Sequence, residues 1–174
     1  AGLALFYAQS QQSDKAEQVL REAIAANKDE DPRYIALIDL ITSRQGVDAA
    51  IKELQGFITA RPKAHPLRFK LAQLYNTTAR PQEAIKVYEE IISAEKTGPA
   101  AQQARLLLAN NYVVTARRAE AEKLVGEVLK ENSRDNAGLV ARAQFSMAKK
   151  DWVGAINDLR AVMKDQPGSV QVVS

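Results

Sequence analysis

The sequence predicts an all-α chain of about five antiparallel helix-turn-helix repeats, and three observations carry that prediction. The first is a ladder of apolar pairs: Ala16-x-x-x-Leu20, Ala50-x-x-x-Leu54, Ala84-x-x-x-Tyr88, Ala121-x-x-x-Val125 and Ala155-x-x-x-Leu159. Their leading alanines are 34, 34, 37 and 34 residues apart, a spacing that marks an internal repeat. The second is a matching ladder twelve residues upstream, at Ala4, Ile38, Ala72, Ala109 and Ala143. Three residues after each of those stand Tyr7, Ile41, Tyr75, Tyr112 and Ser146. The third is composition. Of 174 residues 46% are hydrophobic but only 6% aromatic, so Ala, Leu, Val and Ile supply most apolar content and favour close-packed helices.

Each unit resolves into two amphipathic helices. A small and a large residue at i and i+3 or i+4 lie on one helical face, where the small one admits a neighbouring helix and the large one fills the space above it. The units run over approximately 1–30, 31–64, 65–98, 99–135 and 136–168, with 169–174 starting a further helix. Within them, turns are expected at Gln11-Gln12-Ser13-Asp14, Arg44-Gln45-Gly46, Thr77 to Pro81, Arg117-Arg118 and Lys149-Lys150-Asp151. Between them, Asp31-Pro32, Arg61-Pro62, Thr97-Gly98-Pro99, Asn132-Ser133 and Pro167-Gly168 supply the breaks. Asp14 followed by Glu17 fits a capping box, Asp151 fits an N-cap, and Pro81 suits a first helical turn. Ten main helices follow, read as a single domain. The three extra residues of the 37-residue step, around Glu95 to Pro99, are expected to lengthen the helix before Gly98 or loosen that loop.

Charged residues make up 26% of the chain, the balance of a folded protein and not of a disordered tail. Zero cysteines exclude disulfides, thiolate metal sites and cysteine nucleophiles. No run approaches the roughly 18–20 apolar residues that span a bilayer. Ala1 to Tyr7 reads as the middle of a helix with no signal peptide, so a piece cut from a longer protein is expected. The cytoplasm and the bacterial cell envelope are equally compatible. Catalysis finds little support: His65, the single histidine, sits beside Pro66 at a junction and is read as a helix-start residue. No phosphate loop, metal-ligand spacing or Ser-His-Asp set is visible, so no enzyme and no cofactor are expected.

These residues resemble the tetratricopeptide repeat family, with its period of about 34 and its W-x₂-L-G-x₂-Y…A-x₃-F…P pattern. Leu3-Ala4-x-x-Tyr7, Leu71-Ala72-x-x-Tyr75 and Leu108-Ala109-x-x-Tyr112 match the first-helix core. The five Ala-x-x-x-large pairs match the second helix, and Pro62 and Pro167 the closing proline. The early Trp is absent, since Tyr34, Arg68, Arg105 and Leu139 stand there, and Ile38 replaces a small residue in the second unit. The resemblance covers essentially the whole chain. It implies a right-handed superhelical solenoid whose first helices line a concave face, and a scaffold that binds a protein or peptide partner there.

Mapped onto this chain, the resemblance places three rows in the groove. Ile35, Phe69, Leu106 and Val140 form one row. Asp39, Gln73, Asn110 and Gln144 form the next, and Thr42, Asn76, Val113 and Met147 the third. Amides there can pair with the peptide groups of an extended ligand, and the apolar rows can take its side chains. The first row also reads as packing between adjacent helices. The family's lysine clamp for a terminal carboxylate is not expected, because its lysine positions carry Ile35, Phe69, Leu106 and Val140.

A second pattern is charge: Arg44, Arg80, Arg117, Arg118, Lys149 and Lys150 fall in the turns inside repeats and would line one edge. They read as solubilising turn charge, with an acidic surface or anionic polymer as the rival partner. Net charge is +3 and the pI about 9.1, which keeps nucleic acid in view. RNA reading is disfavoured because the groove lacks a repeated base-reading pair. A non-catalytic arm of a larger enzyme or secretion machine is a further alternative. Neither end carries a polar capping repeat, which leaves self-association open, and Trp152 is read as a packing residue.

Overall fold

The computed structural model describes residues 12–165. Among these are nine helices and no strand: α1 (Ser13–Ala26), α2 (Asp31–Gln45), α3 (Val47–Ala60), α4 (His65–Thr77), α5 (Pro81–Glu95), α6 (Pro99–Val114), α7 (Arg118–Glu131), α8 (Asn136–Ala148) and α9 (Trp152–Asp165). The expected first helix around Leu3 to Tyr7 and the helix expected from Ser169 lie outside the described residues. The architecture is an all-α repeat fold, with α2/α3, α4/α5, α6/α7 and α8/α9 as successive first and second helices.

Sequence chemistry fixes where these helices start and stop. Proline occupies one of the first two positions of α2, α4 and α6, where its missing N–H costs nothing. Asp135 caps α8, its Oδ1 accepting from the Gly138 N–H at 2.7 Å, and Asp151 caps α9 through the Gly154 N–H at 3.0 Å. The capping box expected at Asp14 and Glu17 does not form. Helix α1 begins at Ser13, so Asp14 is already the second helical residue, and both carboxylates turn to Arg44 instead.

Three first helices end in the same way. Ala79, Ala116 and Lys150 adopt left-handed φ of 56°, 61° and 63°. Behind them the Arg80, Arg117 and Asp151 N–H groups donate to the Tyr75, Tyr112 and Ser146 carbonyls at 2.9, 2.7 and 2.9 Å. These are Schellman caps closed without glycine.

The chain divides into two compact units, 1–87 and 88–174. In the first, α2 packs on α1, α3 and α4, and α3 also packs on α4. In the second, α7 packs on α6 and α8, and α8 on α9. The repeat ladder is the core of both. The alanines at 16, 50, 84, 121 and 155 are all at most 3% exposed, as are Ile38, Ala72, Ala109 and Ala143. Leu37, Leu54 and Leu67 fill the first unit, and Ile91, Val125 and Val128 the second, each with under 2% of its surface exposed. Burying each such side chain stabilises the fold by roughly 1.5–3 kcal/mol.

The 37-residue step has a definite location. Position 34 of the repeat register ties down the preceding loop in each unit: Tyr34 Oη donates to the Lys28 carbonyl (3.1 Å) and Arg68 Nε to the Pro62 carbonyl (3.2 Å). Arg105 Nη2 does the same to the Lys96 carbonyl at 2.5 Å. Those pairs are 6, 6 and 9 residues apart, so the three additional residues lie between Lys96 and Arg105. Arg105 is the seventh residue of α6, whereas Tyr34 and Arg68 are the fourth of α2 and α4. The insertion is therefore an extra turn at the start of α6. The loop does not swell, because Gly98 (φ 93°) turns the chain and Pro99 starts the helix at once, and α5, at 15 residues against 14 for α3, is longer by a single residue.

Candidate functional site

The three expected groove rows occupy distinct environments. Ile35, Phe69, Leu106 and Val140 are all half-buried, packed on one side and open on the other. Four residues on, and therefore on the same face, Asp39, Gln73, Asn110 and Gln144 are all exposed. In the third row Thr42 is half-buried and returns its hydroxyl to the Ile38 carbonyl at 2.7 Å, while Asn76, Val113 and Met147 are exposed. Val113 and Met147 leave 48% and 39% of their surface to solvent, which is costly for apolar side chains unless something covers them.

The rows belong to two units. In the first, α2 and α4 lie side by side, and the Lys70 ammonium reaches the Asp39 carboxylate at 2.5 Å. Lys70 is tucked, its side chain 15% exposed, so it anchors the row and projects little charge. In the second, Asn110 and Gln144 present free amide edges from α6 and α8, while the neighbouring Asn111 turns inward and donates to the Leu107 carbonyl at 3.1 Å. The contrast between Asn110 and Asn111 is set by helical phase alone. Sequence reading assigned the rows but missed Lys70, which sits one residue off the Phe69 position.

The turn cations meet carboxylates. Arg44 bonds Asp14 and Glu17, and Arg80 lies 2.7 Å from Asp48. In the second unit Arg117 pairs with Glu120 at 3.0 Å, and both Arg118 and Lys149 pair with Glu122. The Lys149 hydrogen bond, helped by Arg118, holds the Glu122 carboxyl below its usual value. Arg117 also stacks 3.9 Å from the Tyr112 ring centroid. An anionic polymer approaching this edge would have to displace these acids. Lys150 is exposed in the last of the three Schellman caps.

His65 is half-buried at the start of α4, and among the described residues no group of three His, Asp or Glu side chains could hold a metal ion. No described helix is long and apolar enough to cross a membrane. Trp152, expected to pack, is 59% exposed at the first position of α9, and the equivalent Arg118 at the start of α7 is exposed as well.

Comparison with known proteins agrees with the repeat fold. Tetratricopeptide repeat family models match residues 39–101 and 1–30, together more than half of the chain. The chain belongs to the tetratricopeptide repeat family. PilF of Pseudomonas aeruginosa shares its fold at a TM-score of 0.69 and 16% identity, over 94% of this chain and 73% of that one. MamA of Desulfovibrio magneticus RS-1 aligns at 0.65 and 12% identity, over 97% and 94%. YrrB, described as a TPR protein with an unusual peptide-binding site, aligns at 0.60 and 12% identity, over 97% and 85%. No curated protein matches the chain by sequence. The fold is that of a protein-interaction scaffold.

Proposed function

We propose that this chain binds an extended segment of a partner protein on the first-helix faces of its repeats. The observation that carries the reading is the strict alternation of environment along those helices: four half-buried apolar residues, then four exposed side chains of which Gln73, Asn110 and Gln144 are amides. A groove floor needs this mixture. Half-buried Ile35, Phe69, Leu106 and Val140 are held rigid by their neighbours, so covering them costs little side-chain entropy. The amides offer both a donor and an acceptor to a peptide backbone without fixing its sequence. The solved relative described by its peptide-binding site supports a peptide as the ligand class. The ion-paired turn cations favour this reading over anionic polymers.

Selection of peptides from a displayed library on the 174-residue chain tests it. Enriched peptides should lose about tenfold or more in affinity with Phe69→Ala and with Asn110→Ala. Raising salt from 0.1 to about 0.5 M should change that affinity little, unlike a phosphate-backbone contact. Binding unaffected by both variants would place the ligand elsewhere.

A further inference from the structure

The first helices of the second unit carry almost no charge where they meet solvent. Helices α6 and α8 contain no Lys, Asp or Glu, and their two charged residues are Arg105 and Arg142. Arg105 is buried beside Glu127 and Glu131, and Arg142 is held by Asp158. Ten residues of these two helices are exposed, and of those ten Arg142 alone is charged. On α7, which packs on both, five of the seven exposed residues are charged. A solvated helix face carries charge as α7 does. The centre of a protein interface is instead depleted in Lys, Asp and Glu.

Apolar side chains that the fold does not require stand in that uncharged surface. Val113, Val114 and Met147 are 48%, 78% and 39% exposed. Val113 and Val114 lie one turn beyond Asn110, and Met147 one turn beyond Gln144, so each helix presents an amide beside aliphatic groups. In the first unit the register positions of Val113 and Val114 hold Thr42 with Ser43 on α2 and Asn76 with Thr77 on α4, and both of those form first helices. The flanking cations are occupied: Arg117 by Glu120, and both Arg118 and Lys149 by Glu122. Lys150 is followed directly by Asp151. A charged ligand group laid on this face would lose water and gain no counter-charge.

Resting on the first-helix reading above, we propose that the α6 and α8 faces select an uncharged, aliphatic stretch of the partner protein's extended segment. Val113, Val114 and Met147 take its aliphatic side chains, the unbranched Met147 adapting to their shape. Asn110 and Gln144 pair with its peptide groups. On α2 and α4 the equivalent positions hold the Asp39–Lys70 ion pair and the polar Thr42 and Asn76. Aliphatic selectivity therefore belongs to the second unit, and the first unit reads the segment less strictly.

Random-peptide display on the 174-residue chain, sequenced before and after selection, tests this. Enriched peptides should share a short window rich in aliphatic residues, with Lys, Arg, Asp and Glu below their frequency in the starting library. Replacing one aliphatic residue of that window by Glu should weaken binding about tenfold or more. Val113→Lys with Met147→Lys should recover that loss for the Glu peptide and not for the original. Val113→Asn with Met147→Asn, matching Asn76 of the first unit, should weaken the original peptide about tenfold and leave helical circular dichroism unchanged. Peptides lost with Phe69→Ala but indifferent to the double asparagine variant would overturn the proposal and leave the first-helix reading standing. Charged residues enriched in the window would do the same. Binding indifferent to Phe69→Ala, Asn110→Ala and the double variant, or a library from which nothing enriches, would end both. A reversible dimer that dissociates with Val113→Asn would give the face to a second copy. Charges placed in residues 1–11 or 166–174 that raise peptide affinity would give it to the chain itself. Either result would overturn the proposal.

Discussion

Arg142 on α8 grips Asp158 on α9 through two parallel hydrogen bonds, Nε to Oδ2 at 2.8 Å and Nη2 to Oδ1 at 2.7 Å. In the register of the repeat, Arg142 stands where Leu37, Leu71 and Leu108 are buried, and Asp158 stands where the two preceding repeats have Val87 and Leu124. The last described repeat has thus exchanged an apolar pair for a bidentate ion pair. Asp158 is the buried member, its side chain 11% exposed against 51% for Arg142. Hydrogen bonding to Asp158 raises the Arg142 pKa further above its already high value, so the guanidinium stays charged throughout the working range.

The two single substitutions should therefore differ in cost. Arg142→Leu strands a mostly buried carboxylate and should destabilise by about 2–3 kcal/mol, less than a fully buried pair because the arginine side is half open. Asp158→Leu frees an arginine that can reach water and should cost about 1 kcal/mol or less. Arg142→Leu with Asp158→Leu restores the apolar pair of the earlier repeats and should return to within about 1 kcal/mol of the parent. Urea denaturation followed by circular dichroism reads all three. A double variant as unstable as Arg142→Leu alone would show that the site needs the ion pair itself.

The glycine-free Schellman caps leave room for stabilisation. A left-handed residue with a Cβ is strained by about 1 kcal/mol or more relative to glycine. Ala79 and Ala116 bear that strain with φ near 60°, and both are exposed, so removing their methyl groups opens no cavity. Ala79→Gly and Ala116→Gly should each raise stability by about 0.5–1 kcal/mol, offset in part by the freer unfolded chain. Ala148→Gly, inside the last turn of α8, provides the opposite control and should destabilise. Thermal melts of the three variants decide it, and a lower melting point for Ala116→Gly would contradict the geometry.

Tyr112 makes stability sensitive to alkaline pH. Burial raises its phenol above the usual value of about 10, and its hydrogen bond to Glu89 raises it further. A folded pKa above the unfolded one means the contribution is complete below about pH 10 and is lost as pH climbs through the folded value. Tyr112→Phe should cost about 1 kcal/mol near pH 7, since the Glu89 acceptor is exposed and finds water. It should also flatten the fall in stability above about pH 10. Urea midpoints measured from about pH 8 to pH 11 for parent and variant test this; parallel curves would refute the assignment.

The repeat was legible in the sequence because close helix approach demands a small residue at a fixed spacing, and a ladder of alanines survives when its larger neighbours drift. The environments of the three first-helix rows were legible for the same reason, since helical phase alone separates Asn110 from Asn111. Other features depend on partners far along the chain. Asp14 and Glu17 looked like a capping box until Arg44, 27 to 30 residues on, claimed both carboxylates. The extra turn of α6 could be placed only by seeing which carbonyl Arg105 holds. The Schellman caps lack the glycine that would have announced them. Trp152 looked like packing because a large aromatic ring usually packs, yet its register position is only half-buried at Val47 and exposed at Arg118.

Ion pairs link second helices to the first helices that follow them at two junctions, Glu17 to Arg44 and Glu122 to Lys149. Arg44–Glu17 and Lys149–Glu122 fall at the same two register positions, whereas α3 and α5 carry the buried Ile51 and Ile85 in place of the carboxylate. The Lys149 hydrogen bond lowers the Glu122 pKa, which means its stabilisation is complete above the unfolded value near 4.3 and disappears as pH falls through the folded one. Lys149 is 59% exposed, so the pair is well screened, and Lys149→Met should cost only about 0.3–1 kcal/mol at pH 7. That difference should shrink in about 1 M salt and vanish below about pH 3. A salt-insensitive loss of similar size would instead assign the effect to packing of the lysine stem against α7.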